Sequence, residues 1–117
     1  MNTKQLEGRT GEIEATKYLE NLEYQILCNN FRCIQGEIDI IAKDGREIVF
    51  IEVKTRTSTK FGEGREAVDK NKQKHILNAA KYYLYKNNLE DSFTRIDVIE
   101  VYIKNDIKII NHLKQVI

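Results

Sequence analysis

The sequence has no proline, no tryptophan and only six glycines, and it contains no linker, internal repeat or low-complexity tract. Its 117 residues therefore read as a single domain over positions 1–117, long enough for one core. An excess of charge is missing too. Lys plus Arg is 19 and Asp plus Glu is 18, a formal net charge of +1. Bulk charge gives no case for a nucleic-acid partner, and any such case must rest on where the charges sit. No apolar run approaches the ~20 residues of a membrane-spanning helix. The opening MNTKQLEGRTGE has no apolar signal core, so a cytoplasmic chain without membrane contact is expected. There are two cysteines, Cys28 and Cys33, spaced C-x4-C with no second Cys or His pair. Reduced thiols in ordinary packing fit this better than a zinc site.

What is present is a 41% hydrophobic, 32% charged composition, ordinary for a folded soluble protein. Residues 3–22 read as a helix, with Glu12, Ala15, Leu19 and Leu22 at helical spacing. Tyr24 to Asn30 reads as a strand and FRCIQG as a connection. EIDIIA and EIVFIEVK are strand-like runs, and Asp44-Gly45 between them signals a two-residue hairpin with positive φ at both positions. TRTSTKFGEG is a polar loop. A second helix is expected from about Arg65 to Asn87, with Val68, Leu77, Ala80 and Leu84 on one face. TRIDVIEVYI and IKIINHL read as strands around Asn105-Asp106. The order α-β-β-β-α-β-β predicts an α/β fold, a mixed sheet with helices packed on it.

The hairpin carries charges that are expensive to bury. With Asp44-Gly45 at its tip, Lys43 pairs with Arg46, Ile41 with Ile48, Asp39 with Phe50 and Glu37 with Glu52. Faces alternate along each strand. Ile38, Ile40, Ala42, Val49, Ile51 and Val53 then form a core face. Asp39, Glu52 and Lys54 share the other face at the end away from the turn, with Asp39 and Glu52 as diagonal neighbours. Converging carboxylates repel each other, and a divalent cation removes that cost. All-oxygen ligands favour Mg²⁺, Mn²⁺ or Ca²⁺ over zinc. With a lysine beside them, the set suits metal-assisted phosphodiester hydrolysis. Glu12 lies on the inward stripe of the first helix and needs a partner, and Gly8 and Gly11 would let that helix approach the sheet. The competing reading is a solvated strand face, on which alternating charges are common.

GEIDIIA, the hairpin and VFIEVKTR together resemble the YraN-like family of small bacterial proteins. RTGE at Arg9 to Glu12, Phe61-Gly62, Lys72-Gln73 and RIDV at Arg95 to Val98 fit the same family in matching order. That family is in turn similar to the PD-(D/E)XK, or restriction-endonuclease-like, superfamily, and within it to archaeal Holliday-junction resolvases. The resemblance implies an αβββαβ core with a mixed sheet flanked by helices. It implies that Glu12 is the helix acid, Asp39 the central metal ligand, Glu52 the second ligand and Lys54 the catalytic lysine. The proline of the nominal pattern is Ile38 here. Mg²⁺ or Mn²⁺ would be the cofactor, DNA of branched or structured form the substrate, and a homodimer the assembly. A module that keeps this fold but only binds nucleic acid or recruits a partner is the alternative, since fold does not fix function.

Between Lys54 and His75 basic residues outnumber acidic ones. Phosphate contacts would need such a patch, although a solvated helix face gives the same pattern. Arg32, Arg56, Lys60, Lys72 and Gln73 are the candidates, with Arg32 equally able to pair with a carboxylate. Asp97 shares a strand face with Ile99, Val101 and Ile103 and is read as structural, held by Arg56 or Arg95. GEGREA, Gly62 to Ala67, matches a dinucleotide-binding pattern formally but follows a hairpin rather than a βαβ strand. His75 and His112 read as packing or surface residues. Two serines, Ser58 and Ser92, beside polar loop residues support no hydrolase triad.

Overall fold

A computed structural model describes residues 3–56 and 69–117. The elements are α1 (Thr3–Asn21), β1 (Gln25–Cys33), β2 (Gly36–Asp44), β3 (Glu47–Arg56), α2 (Lys70–Lys86), β4 (Phe93–Lys104) and β5 (Ile107–Leu113). The strands form one sheet in the order β1-β2-β3-β4-β5, antiparallel throughout except for the parallel β3–β4 pair. That parallel pair is bridged by α2, as parallel neighbours require a crossover. Among the described residues no helix is long and apolar enough to cross a membrane.

Both faces of the sheet are core. Ala15 and Leu19 of α1 pack with Ile40, Ala42, Val49 and Ile51 on one side. Ile76, Ala79 and Tyr83 of α2 pack with Ile41, Ile48 and Phe50 on the other. The α2 stripe is therefore Ile76-Ala79-Ala80-Tyr83, with Leu84 at its margin, and Leu77 is exposed. The expected stripe through Leu77 was one residue out of phase. Val68 and the expected helix start at Arg65 lie outside the described residues. Asp69 caps α2, its side chain accepting the Lys72 N–H at 2.9 Å.

Two connections differ from the sequence expectation. β1 continues through Phe31-Arg32-Cys33 to pair with β2 (Cys33 opposite Gly36), so the FRCIQG connection shrinks to Ile34-Gln35. Cys28 and Cys33 are free, half-buried thiols against the α2-side core. The β2–β3 turn is Gly45-Arg46, between Asp44 and Glu47, and only Gly45 has positive φ (60°). The two-residue turn with positive φ at both positions occurs instead between β4 and β5, at Asn105 (47°) and Asp106 (66°).

The helix approach is set by Gly11. A Cβ there would overlap Thr55 Oγ1 on β3, whereas one at Gly8 would meet nothing. Gly11 thus seats α1 against β3 one residue before Glu12, and Gly8 has no such role.

A candidate acidic site at the open end of the β2–β3 pair

The shifted turn keeps the parity of the hairpin and changes its register. Ile40 pairs with Ile51 and Ile41 with Phe50, which sets Asp39 directly opposite Glu52 rather than diagonal to it. At Asp39 the regular alternation breaks. Its carboxylate accepts the Val53 backbone N–H at 2.8 Å. Ile38 consequently joins the α2-side core with Ile41, three residues on, instead of lying beside Ile40. On the other flank β1 pairs Asn29 with Ile40 and Phe31 with Ile38, so Asn30 stands opposite Asp39. Asn30 has φ +55° within a strand, a conformation that costs free energy and recurs at functional sites.

Asp39 and Glu52 lie close enough for each carboxyl to influence the protonation of the other. The Glu52 side chain is only 13% exposed, and Lys72 Nζ from the first turn of α2 lies 3.5 Å from its Oε1. Burial and the neighbouring Asp39 push the Glu52 carboxyl up to about 7, opposed by Lys72 and Lys54. Burial also raises Asp39, against the Val53 hydrogen bond and Lys72. Glu12 reaches the same end of the sheet from α1. Burial and Asp39 raise it, while a hydrogen bond with Asn30 and the charge of Arg32 hold it down. Two half-buried acids with a third in electrostatic contact are the raw material of a catalytic or metal site.

The other sequence candidates are placed as follows. Lys54 is half-buried, two residues along β3 and near enough to influence Glu52. Arg32 is exposed and pairs loosely with Glu37 at 3.8 Å. Arg56 is drawn into an ion pair with Glu100, Nε to Oε2 3.0 Å, and Asn111 donates to the other Glu100 oxygen at 2.8 Å. Gln73 is half-buried on the sheet side of α2, and His75 is exposed with its backbone against Gly36. Lys60, Ser58 and the GEGREA segment lie outside the described residues.

A divalent cation fits the donor chemistry of this end. Among the described residues no three His, Cys, Asp or Glu side chains form a ready-made cage. Mg²⁺ does not need one, because it binds through one or two carboxylates and completes its shell with water and substrate phosphate. Asp39 and Glu52 are the two carboxylates here that could supply such a pair, with Glu12 in electrostatic contact with Asp39.

Sequence reasoning did not single out Asn30, although two adjacent asparagines in a strand run against β preference. Of the packing and surface roles open to His112, the structure gives the packing one. That ring is buried, with Nε2 2.7 Å from Asp97 Oδ2 and Nδ1 3.0 Å from the Tyr18 hydroxyl. Asp97 is held by Arg95 (Nε to Oδ1 3.1 Å) and by the Gln115 N–H, and not by Arg56. Arg95 also reaches Asp44, Glu47 and the Tyr24 hydroxyl. This network lies on the α1 face of the sheet, with Arg95 reaching the hairpin turn, whereas Glu52 meets Lys72 on the α2 face.

The fold and site define a mixed α/β protein, a five-stranded sheet between helices with paired acids and lysines at one sheet end. The chain belongs to the uncharacterised protein family UPF0102, the YraN-like proteins, whose family model matches residues 11–101. It is similar to a UPF0102 protein of Caldicellulosiruptor saccharolyticus, 46% identical over 97% of this chain and 98% of the relative. A UPF0102 protein of Clostridioides difficile is 48% identical over 97% and 96%, and one of Geobacter metallireducens 46% over 91% and 87%.

Proposed function

We propose that this protein is a metal-dependent endonuclease that hydrolyses phosphodiester bonds in branched or otherwise structured DNA, on a restriction-endonuclease-like core. The element order α1-β1-β2-β3-α2-β4 is compatible with the αβββαβ arrangement of that core. The observation that carries the reading is the Asp39–Glu52 pair, two acids forced together in a half-buried setting with Lys54 and Lys72 beside them. Nothing in packing alone accounts for so costly an arrangement.

In this account Asp39 and Glu52 hold Mg²⁺ or Mn²⁺, and Glu12 contributes directly or through water. A bound cation supplies Lewis acidity toward a phosphoryl oxygen and a water molecule. Lys54 neutralises charge on the attacked phosphate, and Lys72, released from Glu52, contacts the flanking backbone. Water adds to phosphorus and the P–O bond to the leaving oxygen breaks; one proton of the water ends on the leaving oxygen and the other is released to solvent. Exposed Arg32 lies at the same end and suits a further phosphate contact.

Asp39→Ala is expected to abolish Mn²⁺-dependent cleavage of a four-way DNA junction while leaving the circular dichroism spectrum unchanged. Cleavage at the wild-type rate would refute the assignment. The Lys72–Glu52 contact favours a second reading. An internal ammonium already offsets the acids, as expected of a module that retains the fold and binds nucleic acid or recruits a partner without cutting. Such a module would bind with salt-sensitive affinity and cleave nothing in Mg²⁺ or Mn²⁺.

A further inference from the structure

A cleft of about 410 Å³ lies between α1 and β1, lined by Arg9, Glu12, Thr16, Lys17, Asn29 and Asn30 among others. Its size falls within the ~300–1,000 Å³ range of small-molecule pockets. We propose that this cleft is a nucleotide subsite, seating the nucleoside next to the phosphate held at Asp39 and Glu52. The inference rests on the hydrolytic reading above and adds where the neighbouring part of the substrate goes.

Three observations carry it. The first is position: Asn30 lines the cleft and stands beside Asp39 across the β1–β2 pair, and Glu12, also in the lining, is in electrostatic contact with Asp39. The second is chemistry. Arg9 and Lys17 supply positive charge for a phosphate, set against Glu12 and Glu20 in the same lining, and the amides of Asn29 and Asn30 and the Thr16 hydroxyl supply donors and acceptors for sugar or base. Ile13, 53% exposed at the cleft, offers an apolar surface on which a base can lie. The third is backbone conformation. Asn30 is held at φ +55° in the middle of a strand. Neighbouring Asn29 is fixed by its Nδ2 bond to Thr16 Oγ1 at 3.2 Å. A strand that only closed the sheet would have no need of that conformation.

The test is a titration of the isotope-labelled full chain with thymidine monophosphate, followed by NMR. Saturable shifts are expected at Arg9, Thr16, Lys17 and the side-chain amides of Asn29 and Asn30. A Lys17→Ala, Asn29→Ala double variant is expected to weaken binding about tenfold, in line with the loss of one charge and one hydrogen-bonding group. Both side chains are exposed, so folding is not at stake, and Lys43→Ala at the hairpin end serves as a control with unchanged affinity. No saturable shift in the cleft would overturn the proposal. So would equal affinity for inorganic phosphate, which would leave no nucleoside pocket. Because the readout needs no turnover, its failure is separable from failure of the hydrolytic reading. The latter would appear as an uncut junction with nucleotide binding intact.

Discussion

The Glu52→Gln protein is expected to melt above the wild type at pH 8 when divalent cations are chelated. The Glu52 carboxyl is pushed from an ordinary 4.5 up to about 7 in the fold. The folded state therefore holds its proton more tightly than the unfolded chain does. Wild-type stability rises as pH falls from about 7 toward 4.5, and above pH 7 the full cost of a buried, ionised Glu52 beside Asp39 is present. Gln removes that cost. Loss of the Lys72 contact offsets part of the gain, leaving a net stabilisation of about 1–3 kcal/mol at pH 8. That corresponds to a rise of roughly 4–12 °C in melting temperature. The difference should shrink steadily toward pH 5, where both proteins carry a neutral group at this position. Calorimetric melts across pH 5–8 measure it directly. An equal or lower melting temperature for the variant at pH 8 would mean that the acids are not held in mutual conflict.

The buried network on the α1 face of the sheet predicts the opposite sign. Arg95→Ala is expected to cost about 3–5 kcal/mol, the range for removing one partner of a buried ion pair. Asp97 is fully buried, with 0% of its side chain exposed, and Arg95 is its only guanidinium partner among the described residues. Asp44 and Glu47 are more than a third exposed, so their pairing with Arg95 adds little. The Tyr24 hydroxyl also loses its 2.7 Å partner. A loss of that size is a large share of a typical domain's 5–15 kcal/mol, and urea unfolding should show it. Burial works to raise Asp97, but His112, the Gln115 N–H and Arg95 outweigh it and hold the carboxyl below its usual range. Its stabilisation is therefore present at neutral pH and lost as pH falls through that lowered value. A double Arg95→Met, Asp97→Leu variant should recover much of the loss, since no charge is then left buried without a partner.

These two sites were not equally legible. Placing Asp39, Glu52 and Lys54 together needed only the period-2 alternation of two strands and a two-residue turn. The turn was misplaced by one residue, at Asp44-Gly45 instead of Gly45-Arg46. The parity survived because both strands shifted together, and the error moved Asp39 from diagonal to opposite Glu52. The element order was readable because each long segment has one period and clear turn residues. The α2 stripe was misread by a residue because Ile76 and Leu77 are both apolar, and periodicity alone does not choose between them. Ile38 defied alternation because the Asp39 side chain takes a ladder position, a local event with no hydrophobic signature. The Tyr18–His112–Asp97–Arg95 network joins residues as far as 94 positions apart. Contacts of that span follow from tertiary packing and leave no local pattern.

The central claim is that Asp39 and Glu52 form a metal-binding pair, and Mn²⁺ titration by calorimetry tests it most directly. The wild type and a double Asp39→Asn, Glu52→Gln variant would be compared at pH 8, with a nicked duplex present and absent so that substrate phosphates can complete the shell. The account predicts saturable binding by the wild type that the variant loses. Equal heats from both proteins, or none from either even with the duplex present, would contradict it and leave Lys72 as the resident counter-charge of a module that does not cut.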